Sequence, residues 1–94
     1  MKLNEASIQD WISERKGWSL KDGMLRKTYV FPAFRDSIVF VNRVASLADD
    51  ANHHPDIDIR YDKVRISLST HDAGGITEKD TTLAGKIDFA TSNR

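Results

Sequence analysis

The stretch DDANHHPDIDIRYDKVRISLSTHDAGGITEKD, residues 49–80, decides the fold class because it predicts two paired strands followed by a helix. Asp62-Lys63 predicts a tight hairpin between the strands, and Gly74-Gly75 ends their pattern. Thr77, with the acid Asp80 three residues later, predicts the capped start of a helix. The strands themselves are predicted by alternating apolar residues, each run with one buried face: Ile57, Ile59 and Tyr61, then Val64, Ile66 and Leu68.

The residues before this stretch predict a helix, a hairpin and a longer helix. Asn4 is a favourable N-cap for a first helix over residues 5–15. Asp22-Gly23 predicts a two-residue turn between a short strand near Trp18 and a strand over residues 24–31. Apolar residues at helical spacing then predict a second helix over residues 33–51: Phe34, Ile38, Val41, Ala45 and Ala48, with Phe40, Val44 and Leu47 beside them.

The apolar arc of this second helix covers about half of its circumference. We therefore expect it to pack on the sheet and on one further surface. That surface is either another helix of the same domain or a helix of a second subunit.

Leu83, Ala84, Ile87 and Ala90 predict a last helix over residues 78–90. The order of elements is then α-β-β-α-β-β-α. Two hairpins around a long helix favour an α+β fold, a four-stranded antiparallel sheet with three helices packed on one face. The chain of 94 residues is expected to form a single domain, 1–94.

Composition excludes several classes of protein. The chain has no cysteine, so disulfides and thiolate metal sites are ruled out. No apolar run approaches the roughly 20 residues of a membrane span, and the N-terminus does not resemble a secretory signal, so we expect a cytoplasmic protein. With 14 basic and 14 acidic residues there is no basic excess to indicate nucleic-acid binding. A net charge of zero weakly favours self-association.

All three histidines, His53, His54 and His71, lie in residues 49–80. They could be surface or core residues without a special role. They could bind zinc together with Asp49, Asp72 or Asp80, but adjacent histidines rarely face one metal, so we expect none. The third possibility is general acid–base catalysis without a cofactor, because imidazole exchanges protons near neutral pH. Asp80 is also explained by helix capping alone.

Four motifs resemble the pterin-4a-carbinolamine dehydratase family over nearly the whole chain: Asn52-His53-His54-Pro55-Asp56, Tyr61-Asp62-Lys63-Val64, Leu68-Ser69-Thr70-His71-Asp72 and Gly74-Gly75-Ile76-Thr77-Glu78-Lys79-Asp80. The resemblance implies the same α+β fold and assembly into homodimers or homotetramers. It implies a hydro-lyase, a 4a-hydroxytetrahydrobiopterin dehydratase that needs no metal or cofactor. The reaction converts 4a-hydroxytetrahydropterin to quinonoid dihydropterin, which recycles the pterin of aromatic amino acid hydroxylases.

By the same resemblance, His53 and His71 form an acid–base pair, and His54 is a third imidazole that holds substrate and shares in proton transfer. Contacts with the substrate are implied for five residues: Asp49, Pro55, Ser69, Thr70 and Asp80. Three positions depart from the family pattern. Asp49 stands where glutamate is common, Ile57 where many members have tryptophan, and Asp62 where asparagine is common. Some members instead act as dimerisation or assembly cofactors of other proteins, which is the alternative function here.

Overall fold

The computed structural model describes residues 1–92 and confirms the predicted order of elements and the α+β class. The helices and strands are α1 Glu5–Ser13, β1 Ser19–Lys21, β2 Met24–Val30, α2 Phe34–Ala51, β3 Asp56–Arg60, β4 Lys63–Leu68 and α3 Glu78–Ser92. One turn of 3₁₀ helix, His71–Ala73, lies between β4 and α3. No helix of residues 1–92 is long and apolar enough to cross a membrane.

The four strands form one antiparallel sheet in the order β1-β2-β4-β3. Apolar side chains from the two central strands are fully buried, among them Leu25, Val64 and Ile66. Ile8 of α1 and Ile87 of α3 belong to the same apolar cluster. The opposite face carries Arg26, Thr28 and Arg65, of which Thr28 and Arg65 are exposed, as expected for an antiparallel sheet with one buried side.

Some predicted boundaries were wrong by a few residues. The second hairpin turns at Tyr61-Asp62, because Arg60 already pairs with Lys63. Tyr61 therefore leaves the buried face of its strand: it has a φ of 56° and is 68% exposed. The first helix ends at Ser13, since the following N–H groups bond three residues back and tighten its end. The last helix continues to Ser92.

The long helix α2 packs on the sheet and on α3, so its second partner is a helix of the same domain. Its buried side chains are Phe40, Val44 and Ala48, together with Ser37. The side chains that α2 buries are therefore offset around the helix from the predicted apolar stripe, of which only Ala48 is fully buried. Phe34, at the start of that stripe, is half exposed.

A polar cluster under the helical layer ties α3 to β2. The Asp88 carboxylate accepts hydrogen bonds from Trp18 Nε1 at 2.8 Å and the Tyr29 hydroxyl at 2.5 Å, and it pairs with Lys27 Nζ at 2.8 Å. Lys27 also donates to the Lys16 carbonyl at 2.9 Å, which holds the turn that follows α1. Burial raises the pKa of Tyr29 far above its ordinary value, and the hydrogen bond to Asp88 acts in the same direction.

Candidate active site

The end of α2 places His53 over the start of α3. Asn52 follows the helix in the left-handed conformation, with a φ of 50°, and its N–H bonds back to the helix. The His53 N–H then bonds to the Ala48 carbonyl at 3.1 Å. This reversal is typical of helix ends closed by asparagine. It brings His53 Nε2 to 2.6 Å from Asp80 Oδ1.

Asp80 is completely buried, and its carboxylate has three hydrogen-bond partners. Oδ1 faces His53, while Oδ2 accepts from the Thr70 hydroxyl at 2.8 Å and from the Thr77 N–H at 2.9 Å. The bond to Thr77 is the predicted capping interaction, and it is present. A buried carboxylate without hydrogen-bond partners is very costly. The three hydrogen bonds provide the partners that Asp80 needs. Asp80 therefore caps the helix and holds an imidazole at once.

The loop after β4 is closed on itself. Thr70 N–H donates to the Gly75 carbonyl at 2.8 Å, and Gly74 has a φ of 73°, which a residue with a side chain adopts only at a cost. His71 begins the 3₁₀ turn inside this loop and is exposed. Its imidazole makes no hydrogen bond to any residue of 1–92. His71 therefore directly follows Thr70, whose hydroxyl is bonded to Asp80.

His54 has its own carboxylate partner. Its Nε2 lies 3.0 Å from Asp49 Oδ1, with the two side chains 61% and 76% exposed. The aspartate side chain, shorter than the glutamate that the resemblance led us to expect, reaches the ring. A contact between two side chains as exposed as these contributes little to stability.

Two cavities flank the His53–Asp80 pair. One, of about 450 Å³, includes Thr70 and Thr77 in its wall, and the other, of about 280 Å³, includes His53. Glu78 and Lys79, in the first turn of α3, line both cavities. These volumes approach or fall within the range of small-molecule sites. Sequence reasoning did not select Glu78 or Lys79 as site residues. Their position directly before Asp80 in a capped helix start was the available signal.

The predicted site residues thus form two pairs and a nearby loop. Pro55, directly before β3, and Ser69, directly after β4, are half-buried at the open end of the hairpin, and their role in substrate binding stays a prediction. Residues 1–92 contain no group of three or more His, Asp or Glu side chains arranged to hold a metal ion. The available chemistry is proton exchange by imidazoles held by carboxylates, next to cavities that could admit a small molecule.

The fold and site define a small α+β protein with imidazole–carboxylate pairs beside open cavities. The profile of the family described as Pterin 4 alpha carbinolamine dehydratase matches residues 1–90. The chain belongs to this family, which confirms the predicted resemblance. The predicted enzyme class, a hydro-lyase, is that of the family.

Curated relatives are similar over most of their length. A protein of Sulfurisphaera tokodaii named pterin-4-alpha-carbinolamine dehydratase is 49% identical, with 93% of this chain and 94% of the relative aligned. A protein of Herpetosiphon aurantiacus with the same name is 54% identical, with 92% and 90% aligned.

Solved structures share the fold. The transcriptional coactivator/pterin dehydratase from Brucella melitensis superposes with a TM-score of 0.91 at 26% identity, covering 96% of this chain and 98% of that one. A pterin dehydratase-like RuBisCO assembly factor of the alpha-carboxysome superposes with a TM-score of 0.69 at 23% identity, covering 81% and 90%. At that identity the second match concerns the fold alone.

Proposed function

We propose that this protein catalyses the dehydration of a 4a-hydroxytetrahydropterin to the quinonoid dihydropterin by general acid–base catalysis at histidine, without a metal. The observation that carries the proposal is the His53 imidazole held at 2.6 Å by a fully buried carboxylate beside a cavity. Membership of the dehydratase family supplies the substrate class.

The reaction needs one proton donor and one proton acceptor. The N5 lone pair forms a double bond to C4a while the C4a–O bond breaks. A protonated imidazole gives its proton to the departing hydroxyl, which leaves as water, and a neutral imidazole removes the proton from N5. The atoms balance as the loss of one water. Each proton transfer of this kind contributes roughly 10²–10⁴ in rate.

We assign the acid and base to His53 and His71, with His54 holding the substrate and sharing in proton transfer. His53 is fixed by Asp80, whereas His71 lies on the closed loop next to Thr70. The pairing of His54 with Asp49 supports a role for that ring too, because the carboxylate holds the ring in one orientation. Asp49, Pro55, Ser69, Thr70 and Asp80 complete the proposed site.

A stopped-flow assay with chemically generated 4a-hydroxytetrahydropterin tests the reaction directly. We expect the protein to accelerate dehydration well beyond the spontaneous rate. We also expect the activity to survive exhaustive treatment with EDTA. Activity lost with EDTA and restored by zinc would refute the metal-free mechanism, and no acceleration at all would refute the reaction.

The cellular setting is part of the same proposal. We place the enzyme in the cytoplasm as a homodimer or homotetramer that recycles tetrahydrobiopterin, with an aromatic amino acid hydroxylase as its functional partner. We propose no binding to nucleic acid or to a membrane.

A second candidate is a non-catalytic role as a dimerisation or assembly cofactor. It is favoured by the Brucella protein, whose name combines coactivator and dehydratase. Retention of His53, His54 and His71 supports the enzyme instead, because a pure binding module does not need three imidazoles. A chain that leaves the dehydration rate unchanged in the stopped-flow assay would favour the cofactor role.

A further inference from the structure

The hydrogen bonds around Asp80 have a definite direction. Lys79 N–H donates to Thr77 Oγ1 at 3.2 Å, and the hydroxyls of Thr77 and Thr70 lie 2.7 Å apart. The Thr70 hydroxyl donates its only proton to Asp80 Oδ2. In the bond between the two threonines, Thr77 must therefore be the donor, because a hydroxyl carries a single proton.

This chain runs one way, from the first turn of α3 through Thr77 and Thr70 to Asp80. The Thr77 N–H reaches the same carboxylate oxygen, so Oδ2 receives two donated protons. Both threonines are buried, so little of their surface is open to water that could compete for these hydrogen bonds. Hydrogen bonds linked in series polarise one another, and both donors at this end of the chain point at Oδ2, so the carboxylate acts there as an acceptor.

An ionised Asp80 can only accept hydrogen bonds. His53 Nε2, at 2.6 Å from Oδ1, must then be the donor, so the neutral ring carries its proton on Nε2. Its Nδ1 has no hydrogen-bond partner among residues 1–92. That nitrogen is left free to exchange a proton with a ligand.

Resting on the proposed function, we infer that Thr70 is a positioning residue: its hydroxyl, oriented by Thr77, keeps Asp80 as an acceptor and holds neutral His53 in the Nε2–H tautomer. Proton exchange with the pterin then takes place at Nδ1. Thr70 acts through Asp80 and His53, so its hydroxyl does not need to touch the substrate. This role differs from the direct substrate contact that the family resemblance implies for the residue.

The test compares Thr70→Val with Thr70→Ser in the full-length protein. Valine has nearly the shape of threonine but removes the donor, whereas serine keeps it. Hydrogen–nitrogen correlation spectra of the ligand-free, nitrogen-labelled protein report which ring nitrogen of each neutral histidine carries the proton. His54→Ala and His71→Ala, each of which removes one set of signals, assign the peaks of His53.

We expect the wild type and Thr70→Ser to show His53 only as the Nε2–H tautomer. Thr70→Val should show a mixture of tautomers. Its kcat should fall about tenfold, as expected for one lost hydrogen bond, with KM nearly unchanged because the substrate contacts remain. Thr70→Ser should retain kcat within about twofold.

Two results would overturn the inference: an Nδ1–H tautomer in the wild type, or a pure Nε2–H tautomer with normal kcat in Thr70→Val. A loss of kcat in Thr70→Ser with the tautomer intact would also contradict it, because the effect would then follow shape and not the hydroxyl. If the wild type has no dehydratase activity, the proposed reaction fails, while the spectra still decide the role of Thr70.

Discussion

His54 offers the sharpest separation of function from folding at the scale of single residues. Its side chain is largely exposed and its only hydrogen bond within residues 1–92 is to Asp49. We expect His54→Ala to lower kcat by about 10²-fold or more, the usual contribution of a general acid or base. The free energy of unfolding should change by less than about 0.5 kcal/mol, as for other surface substitutions. Normal turnover in this variant would remove His54 from the catalytic assignment.

Asp49 and Asp50 form a matched pair for testing the partner of His54. Both are exposed acids in the last turn of α2, but only Asp49 contacts an imidazole among the described residues. We expect Asp49→Ala to lower kcat/KM by about tenfold, since the His54 ring loses the hydrogen bond that orients it. Asp50→Ala should behave as wild type. Equal effects in the two variants would point to helix charge and not to the His54 contact.

The sequence predicts the candidate site residues, but it does not predict their pairings. The three histidines and Asp80 stand out by type and by family resemblance. The contact between His53 and Asp80 spans 27 positions and depends on where the left-handed Asn52 turns the chain. In the sequence, helix capping alone is enough to explain Asp80. Its second bond, to an imidazole, becomes visible only when α2 and α3 lie side by side.

At the scale of elements, Asp88 anchors α3 to the sheet through Trp18, Lys27 and Tyr29. We expect Asp88→Ala to lower the free energy of unfolding by about 2–4 kcal/mol, because it leaves the partly buried Lys27 ammonium without its carboxylate. Asp88→Asn keeps the shape and an accepting oxygen, so it should cost less. Urea unfolding measures both, and a loss below about 0.5 kcal/mol in Asp88→Ala would show that the anchor is unimportant.

The sequence predicted the elements well and their contacts less well. Alternation and capping located the strands and helices, since these signals are local. Lys27 lies between Leu25 and Tyr29 on the buried face of β2, and the alternation indicates this position. Its partner Asp88 lies 61 residues further on, so no local pattern identifies it. The turn at Tyr61-Asp62 was misplaced by one residue because tyrosine is an unfavourable residue for a positive φ.

At the scale of the whole molecule, Tyr29 links stability to alkaline pH. Burial and the bond to Asp88 raise its pKa in the folded protein, while the unfolded chain ionises near pH 10. Its contribution is therefore complete below about pH 10 and is lost as the pH rises further, by up to about 1.4 kcal/mol per pH unit. Tyr29→Phe should be less stable than wild type at pH 8 but show a shallower loss between pH 10 and 11.

The second of the two tyrosines provides the control for this experiment. Tyr61 is exposed at a hairpin turn, so Tyr61→Phe should follow the alkaline loss of the wild type. Chemical unfolding at a series of pH values gives the slopes. Parallel slopes for Tyr29→Phe and wild type would contradict the assignment to Tyr29.

Self-association of the chain can be tested at α2. Phe34 and Val39 are partly exposed although α2 already packs on the sheet and on α3, so apolar surface remains available for a second copy. If α2 forms the interface of the proposed homodimer or homotetramer, Phe34→Asp should shift sedimentation towards a smaller species, because burying an unpaired carboxylate is costly. Tyr61→Asp, equally polar but at the tip of a hairpin, should leave the assembly unchanged. A wild type that sediments only as a monomer would refute the interface, whereas an unchanged oligomer in Phe34→Asp would place it elsewhere on the surface.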